Sequence, residues 1–561
     1  MTSNLTINNG TAPLNPDGRL EVIVKYNGDL SELSQFFYSV EILNNSFAII
    51  TLEQDSLDIL ANFPQIEYTE LPKTLTYQLS SARYSACINK IQLPPLSLDG
   101  SGALISIIDS GIDVSHPDFR NDDGSSRILF LWDQSATDGI PPAGFRSGRE
   151  FNNREINELL TASAPLPSGL TDTIGHGTAV AGVAAGNGRA SGGREQGVAP
   201  KASLICIKLG SRMIDTFPRT TEIMRGVTYS IRKAIELNLP LSINISYGTN
   251  NGSHSGDSLF EQYMNDASDQ WKTVICAATG NEGDTGHHFS AVLTSNESLD
   301  IPIFVSGARK RLYMTLWKNF SDETAFRLIS PSGGVSRLIS QGASVQASSV
   351  SDTEITTFFG QPTPLTQYQE VFFLLESKED FITEGVWRLV ADAGAITDGR
   401  LDIWLPTVDT ATNDTAFATP DTSTTLTLPS TAERLIAVGG YNSNLNTIAP
   451  FSGRGYTRSN VFVKPDITAP AVNILTTRSG GGYMQLSGTS IACPFVTGAS
   501  ALMQEWGIVR KNDINLYGQR VKAFLQAGAK RVLPISYPNP IWGYGTLCLS
   551  DTFSLLLSNS R

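Results

Sequence analysis

At 561 residues the chain is longer than one small domain, and its 40% hydrophobic and 17% charged composition is that of an ordinary globular protein. A net charge of −13 argues against nucleic acid and anionic membrane surfaces as partners. No run of apolar residues is long enough for a transmembrane helix, and the opening residues lack the basic and apolar regions of a secretory signal.

In chain order, residues 1–18 are polar and bear proline and glycine, which predicts a loose start. Arg19 to Gly28 reads as a strand and turn, Leu30 to Phe37 as helix-like, and Val40–Leu43 with Phe47–Leu52 as a hairpin across Asn44 and Asn45. Residues 54–63 then read as a second helix and Ile66–Glu70 as a closing strand. This β-α-β-β-α-β order is the split βαβ, ferredoxin-like pattern.

Ala103 to Ile108 is a continuous apolar run that ends in Asp109, Ser110 and Gly111. A strand buried on both faces ends this way, and α/β active sites form at the carboxyl ends of such strands. A helix is expected over 154–160, and a small-residue helix opens at Gly175, His176 and Gly177. Ser203–Leu209 reads as a buried strand, 220–237 as a helix, and Leu241–Gly248 as a strand ending in a turn. Thr273 to Ala278 is another buried strand, leading to Asn281. Residues 290–424 carry short runs such as Val371–Leu375 and Val386–Val390 between Gly, Ser and Asp turns, an all-β sandwich or jelly-roll pattern. Finally Gly488, Thr489 and Ser490 precede small and apolar residues at helical spacing. Pro494 is expected to be tolerated near that helix's first turn.

A serine at a helix start is ordinarily a cap, a strand-end aspartate a turn residue and a helix-start histidine surface decoration. Together, in the order Asp, His, Ser, they match the chain order of the subtilisin catalytic triad. The stretches around Asp109, His176 and Ser490 resemble the three signatures of the subtilisin-like (S8) serine proteases. The fold implied is α/β, with a parallel sheet, helices on both its faces, an N-terminal ferredoxin-like propeptide domain and the inserted all-β domain.

The resemblance implies a serine endopeptidase in which Ser490 attacks, His176 is the base and Asp109 fixes the imidazole. Asn281 and the Ser490 N–H would form the oxyanion hole, and Ser246, Tyr247 and Gly248 would pair with substrate. Residues 19–79 would be an inhibitory propeptide with its tail, Thr74 to Ser81, in the substrate cleft. Self-processing would cut at Tyr77, Gln78, Leu79 or Ser80. The catalytic domain would run over 80–289 and 425–561, interrupted by the insert at 290–424.

The N-terminal unit, the insert and the chain's C-terminal region also resemble the Csp-type subtilases of clostridia. That group's role implies activation of a spore cortex-lytic pro-enzyme and a cytoplasmic or spore-associated location. A protein or peptide substrate and the chain's own propeptide, retained after cleavage in some relatives, are the expected partners, and no cofactor is expected. Asp118, Asp122 and Asp123 are acidic neighbours without the spacing of a calcium loop, so no metal is expected. The five cysteines, Cys87, Cys206, Cys276, Cys493 and Cys548, are expected to be buried free thiols suited to a reducing compartment. The competing reading is a binding or scaffold protein on a protease fold. The complete triad and Asn281 favour the enzyme.

Overall fold

The computed structural model describes residues 18–70, 78–162, 164–210, 218–307, 309–361, 363–407, 415–460 and 462–559. Contacts divide the chain into two compact units between Thr76 and Tyr77.

In the first unit, Leu20–Tyr26, Ser39–Ile42, Phe47–Leu52 and Ile66–Glu70 form an antiparallel sheet in the order second, third, first, fourth. That is the split βαβ order. Strict alternation turns Leu20, Val22, Val24 and Tyr26 inward beside Ala48, Ile50 and Leu52. The hairpin is set by Asn44, whose Oδ1 accepts the Ser46 and Phe47 N–H groups, each at 2.9 Å. The two expected helices are instead 3-10 segments, Ser31–Gln35 and Gln54–Asn62. Asp29 holds Ser31 through both the backbone N–H (2.9 Å) and the hydroxyl (2.7 Å), a local arrangement that competes with an α-helical start.

The second unit is built on a central sheet with seven parallel strands: Ile467–Pro470 pairs with Ile436–Asn442, and the order continues through Thr273–Ala278, Leu241–Ile245, Leu104–Asp109 and Ser203–Lys208 to Ile128–Asp133. Short antiparallel strands, Thr447–Ile448 and Arg149–Asn152, close its two ends. The interior strands are apolar on both faces because helices cover both. One face packs the helices His176–Ala185 and Thr489–Gln504, and the other packs Thr220–Leu237 and Leu259–Ser268. Asp109 and Asn281 emerge at or just beyond the carboxyl ends of their strands.

Between Asn281 and Ser490, the expected all-β segment folds as two antiparallel sheets around one apolar core. The larger sheet runs from His288–Val292 through Arg400–Trp404, Arg311–Asn319, Tyr368–Ser377 and Thr353–Phe359 to Val345–Val350. It is joined to the central-sheet scaffold by a buried charge cluster. Asp402 accepts from the Arg458 Nε at 2.6 Å and the Arg400 Nε at 2.9 Å, and lies 3.2 Å from the His288 Nε2. Trp404 is stacked between His254 (4.1 Å) and His288 (4.6 Å). The His254 ring nitrogens lie 2.7 and 3.0 Å from the Leu426 and Asn250 carbonyls. Burial pushes the His254 pKa down to about 4, outweighing the upward pull of those carbonyls.

The sign follows directly. Between pH 6.5, the ordinary value, and pH 4, the unfolded chain binds the proton that folded His254 refuses, so stability is lost as pH falls through that window. Thermal unfolding of His254→Gln should show a shallower fall over this range than wild type. An identical slope would remove His254 as its source.

The cysteine expectation is corrected. Cys87 and Cys548 form a disulfide with their Cα atoms 4.8 Å apart, while Cys206, Cys276 and Cys493 are free and buried. The partners are 461 residues apart in sequence, and only the fold brings the residue before the helix Ile88–Gln92 to the one before Leu549–Asn559. The argument for a reducing compartment falls with it. Burial holds the Cys493 thiol well above its ordinary pKa, which suits a packing role. Among the described residues no helix is long and apolar enough to cross a membrane.

Candidate active site

The Asp109 carboxylate is fully buried at its strand end and accepts the Ser110 N–H at 2.7 Å. Its Oδ1 lies 2.8 Å from the Nδ1 of His176, whose side chain is 28% exposed. The approach depends on Gly177. A Cβ there would lie 2.1 Å from the Gly111 carbonyl and 3.0 Å from the Asp109 Cβ, so any side chain would push the His176 helix off the strand end.

The helix start is held by a residue the sequence analysis missed. Buried Asp172 accepts from Gly175 N (2.9 Å), Thr178 N (2.9 Å), Thr178 Oγ1 (2.8 Å) and Ser110 Oγ (2.9 Å). It therefore satisfies free N–H groups at the positive end of the helix and ties them to the residue after Asp109. The available signal was an aspartate three positions before the Gly175-His176-Gly177 helix start.

Ser490 lies in the first turn of Thr489–Gln504. The N-cap position is Gly488, and no side chain caps it, so the serine hydroxyl is not used as a cap. Gly488 adopts φ +153, and a Cβ there would lie 3.1 Å from the Ser490 Oγ and 3.5 Å from the Asn281 Nδ2. These two polar atoms converge on a space that only a glycine leaves open. The Asn281 Oδ1 accepts from Thr489 N (3.0 Å) and Thr489 Oγ1 (3.2 Å), which turns its Nδ2 toward that space.

Pro494 is accommodated differently from expectation. Its missing N–H would have bonded the Ser490 carbonyl one turn earlier. Ser246 supplies the donor instead, its Oγ lying 3.0 Å from that carbonyl, and is itself held by the Asn244 Nδ2 at 2.8 Å. The Ser246 side chain, expected at the substrate, is thus engaged in fixing the serine helix. Ser246→Ala should leave a half-buried carbonyl unpaired and cost about 1–3 kcal/mol of stability, measurable by urea unfolding; a loss below about 0.5 kcal/mol would contradict this role.

Ser246, Tyr247 and Gly248 line a small pocket together with Asn281, Thr489 and Ser490, and Tyr247 meets the His176 ring edge-on with centroids 6.3 Å apart. Thr407, from the end of the β segment, and Thr427 complete its walls. Of the expected cut residues, Tyr77 lies outside the described residues. Gln78, Leu79 and Ser80 open a helix, Gln78–Ser85, where the tail laid in the substrate cleft was expected. A helical first turn is not extended and its C=O groups are bonded within the helix, so in this state it cannot pair strand-like along a substrate cleft. The acidic neighbours separate: Asp118 is buried and accepts from Tyr483 OH (2.9 Å) and Ala190 N (2.8 Å), while Asp123 caps Ser125.

The family profile of the subtilases, peptidase family S8, matches residues 100–311 and 322–545, which hold Asp109, His176, Asn281 and Ser490. The chain belongs to the subtilase family. This subtilase also matches the Csp protease B prodomain over residues 6–73, the segment that holds the split βαβ sheet. The solved structure of the CspB protease of Clostridium perfringens is similar, with a TM-score of 0.78 at 34% identity over 85% of this chain and 98% of that one. The PIII-type proteinase of Lactococcus lactis subsp. cremoris is 25% identical over 488 residues, which is 79% of this subtilase and 24% of that protein. Subtilisin E of Bacillus subtilis is 27% identical over 244 residues, 43% of this chain and 50% of its own length. The chain thus spans about a quarter of the first of these curated relatives and half of the second.

Proposed function

We propose that this subtilase is a serine endopeptidase made as a zymogen. The observation that carries the reading is the convergence of the Ser490 Oγ and Asn281 Nδ2 on the space beside Gly488, with the His176–Asp109 pair completing the catalytic set. A scissile carbonyl in that space would be attacked by the Ser490 oxygen as His176 takes its proton, and the negative oxygen would be met by the Asn281 amide and the Ser490 N–H. Asp109, buried and bound to Nδ1, would hold the imidazole in the tautomer whose Nε2 accepts, and stabilise the imidazolium. The protonated ring then returns its proton to the leaving amine, and water resolves the acyl-enzyme by the same route. Tyr247 and Gly248 would border the bound peptide.

In this reading residues 1–18 lead into the propeptide, 19–79, and 290–424 are a jelly-roll-like insert that stiffens the protease halves, 80–289 and 425–561. The buried Asp402–Arg458 bond across that junction supports the stiffening role. The prodomain match supports self-cleavage within Tyr77–Ser80, and the likeness to the CspB protease supports limited proteolysis of a spore cortex-lytic pro-enzyme. Intact-mass measurement tests the first step. Wild type should resolve into two fragments split at residues 77–80, and a fluorophosphonate should label Ser490. A chain that stays whole and unlabelled would favour a scaffold protein on a protease fold.

A further inference from the structure

A cavity of about 510 Å³ opens where the Cys87–Cys548 disulfide meets the chain's C-terminal region, and none of the catalytic candidates lines it. Its volume is that of a small-molecule site. Part of the wall is aromatic and aliphatic, with Tyr441 and Trp542, whose rings are 5.9 Å apart, and with Tyr84, Leu93 and Ile535. Tyr84 is 72% and Leu93 62% exposed, so large apolar side chains stand in water at its mouth.

The charged lining is of one sign. Lys90 and Lys530 both line the cavity, no aspartate or glutamate does, and neither lysine forms an ion pair among the described residues. In a chain of net charge −13, two unpaired cations at one apolar cavity are an uncompensated local positive field. The Oδ1 of Asn89, a further lining residue, is buried without a hydrogen-bond partner, an acceptor left for a ligand N–H or hydroxyl.

We propose that this cavity binds a small organic anion with a flat apolar body, the body packing on Trp542 and Tyr84 and the carboxylate or sulfonate meeting Lys90 and Lys530. The inference is independent of the protease chemistry.

Two probes with the same ring body separate the apolar and charged contributions in the full-length chain. 1-Anilinonaphthalene-8-sulfonate should bind with one equivalent per chain, and N-phenyl-1-naphthylamine, which lacks the sulfonate, about tenfold more weakly. The double variant Lys90→Ala/Lys530→Ala should lose about tenfold in affinity for the sulfonate and none for the neutral probe, and Trp542→Ala should weaken both. Thermal midpoint and peptidase rate should be unchanged in the lysine variant, whose substitutions lie on the surface. Equal affinity for the two probes, sulfonate binding unaffected by the lysine changes, or several equivalents per chain would each overturn the proposal.

Discussion

Ser490→Ala is expected to lower kcat about a millionfold, the scale of losing the nucleophile of a serine triad, and to leave the chain uncut between its two units. The expectation rests on placement. The Ser490 hydroxyl stands in a helix whose N-cap is Gly488 and whose first N–H, that of Thr489, is met by the Asn281 Oδ1, so the substitution removes no capping bond. The nearby backbone is held without the hydroxyl, because the Ser490 carbonyl is bonded by Ser246 and Thr489 is bonded to Asn281. Unfolding free energy should therefore change by less than about 0.5 kcal/mol, as for a substitution that removes no packing or cap, while peptidase activity disappears. Peptide hydrolysis followed against a chromogenic substrate, with circular dichroism on the same samples, checks both. Residual kcat within a hundredfold of wild type would mean that another nucleophile acts, and buried, high-pKa Cys493 is not a competent one.

The motif stretches were legible because the chemistry needs sharp local features. A strand apolar on both faces that ends in Asp109, a histidine between two glycines and a Gly-Thr-Ser before small residues each force an identifiable backbone. The Gly177 contact shows why: the glycine is required by the close approach of helix to strand. Asp172 was not legible, since its role depends on Ser110 and Thr178, groups separated from it by 62 and 6 positions. The same holds for Ser246, whose hydroxyl answers a carbonyl freed by Pro494, 248 residues later in the sequence (494 − 246). The Cys87–Cys548 bond was misread for the same reason. Pairings across hundreds of residues are properties of the folded sheet and helices, and local sequence patterns carry no trace of them. In the N-terminal unit, strand order followed from alternation and turns, whereas the choice between α and 3-10 geometry turned on side-chain bonds such as those of Asp29.

Asn281→Leu should cut kcat by about 100- to 1,000-fold with little change in KM. The amide nitrogen is aimed at the space beside Gly488 and no ground-state contact is assigned to it; its value lies in the charge that develops on the carbonyl oxygen as Ser490 attacks. Leucine keeps the volume and removes the donor, but it also removes the acceptor for the Thr489 N–H and hydroxyl. Asn281→Asp separates these two effects. It restores the acceptor for Thr489 while placing negative charge where an oxyanion must form, so it should retain the stability that Leu loses and be at least as inactive. If Asp instead recovers activity toward wild type, the loss in the Leu variant came from a misplaced Thr489–Ser490 turn. Gly488→Ala approaches the same space from the other side: a methyl 3.1 Å from the Ser490 Oγ and 3.5 Å from the Asn281 Nδ2 occupies the position a substrate carbonyl needs. It should raise KM and lower kcat/KM with kcat little changed, because the obstruction acts on substrate and transition state alike. A variant at 488 with unchanged KM would move the scissile bond out of this space, and the oxyanion role of Asn281 with it.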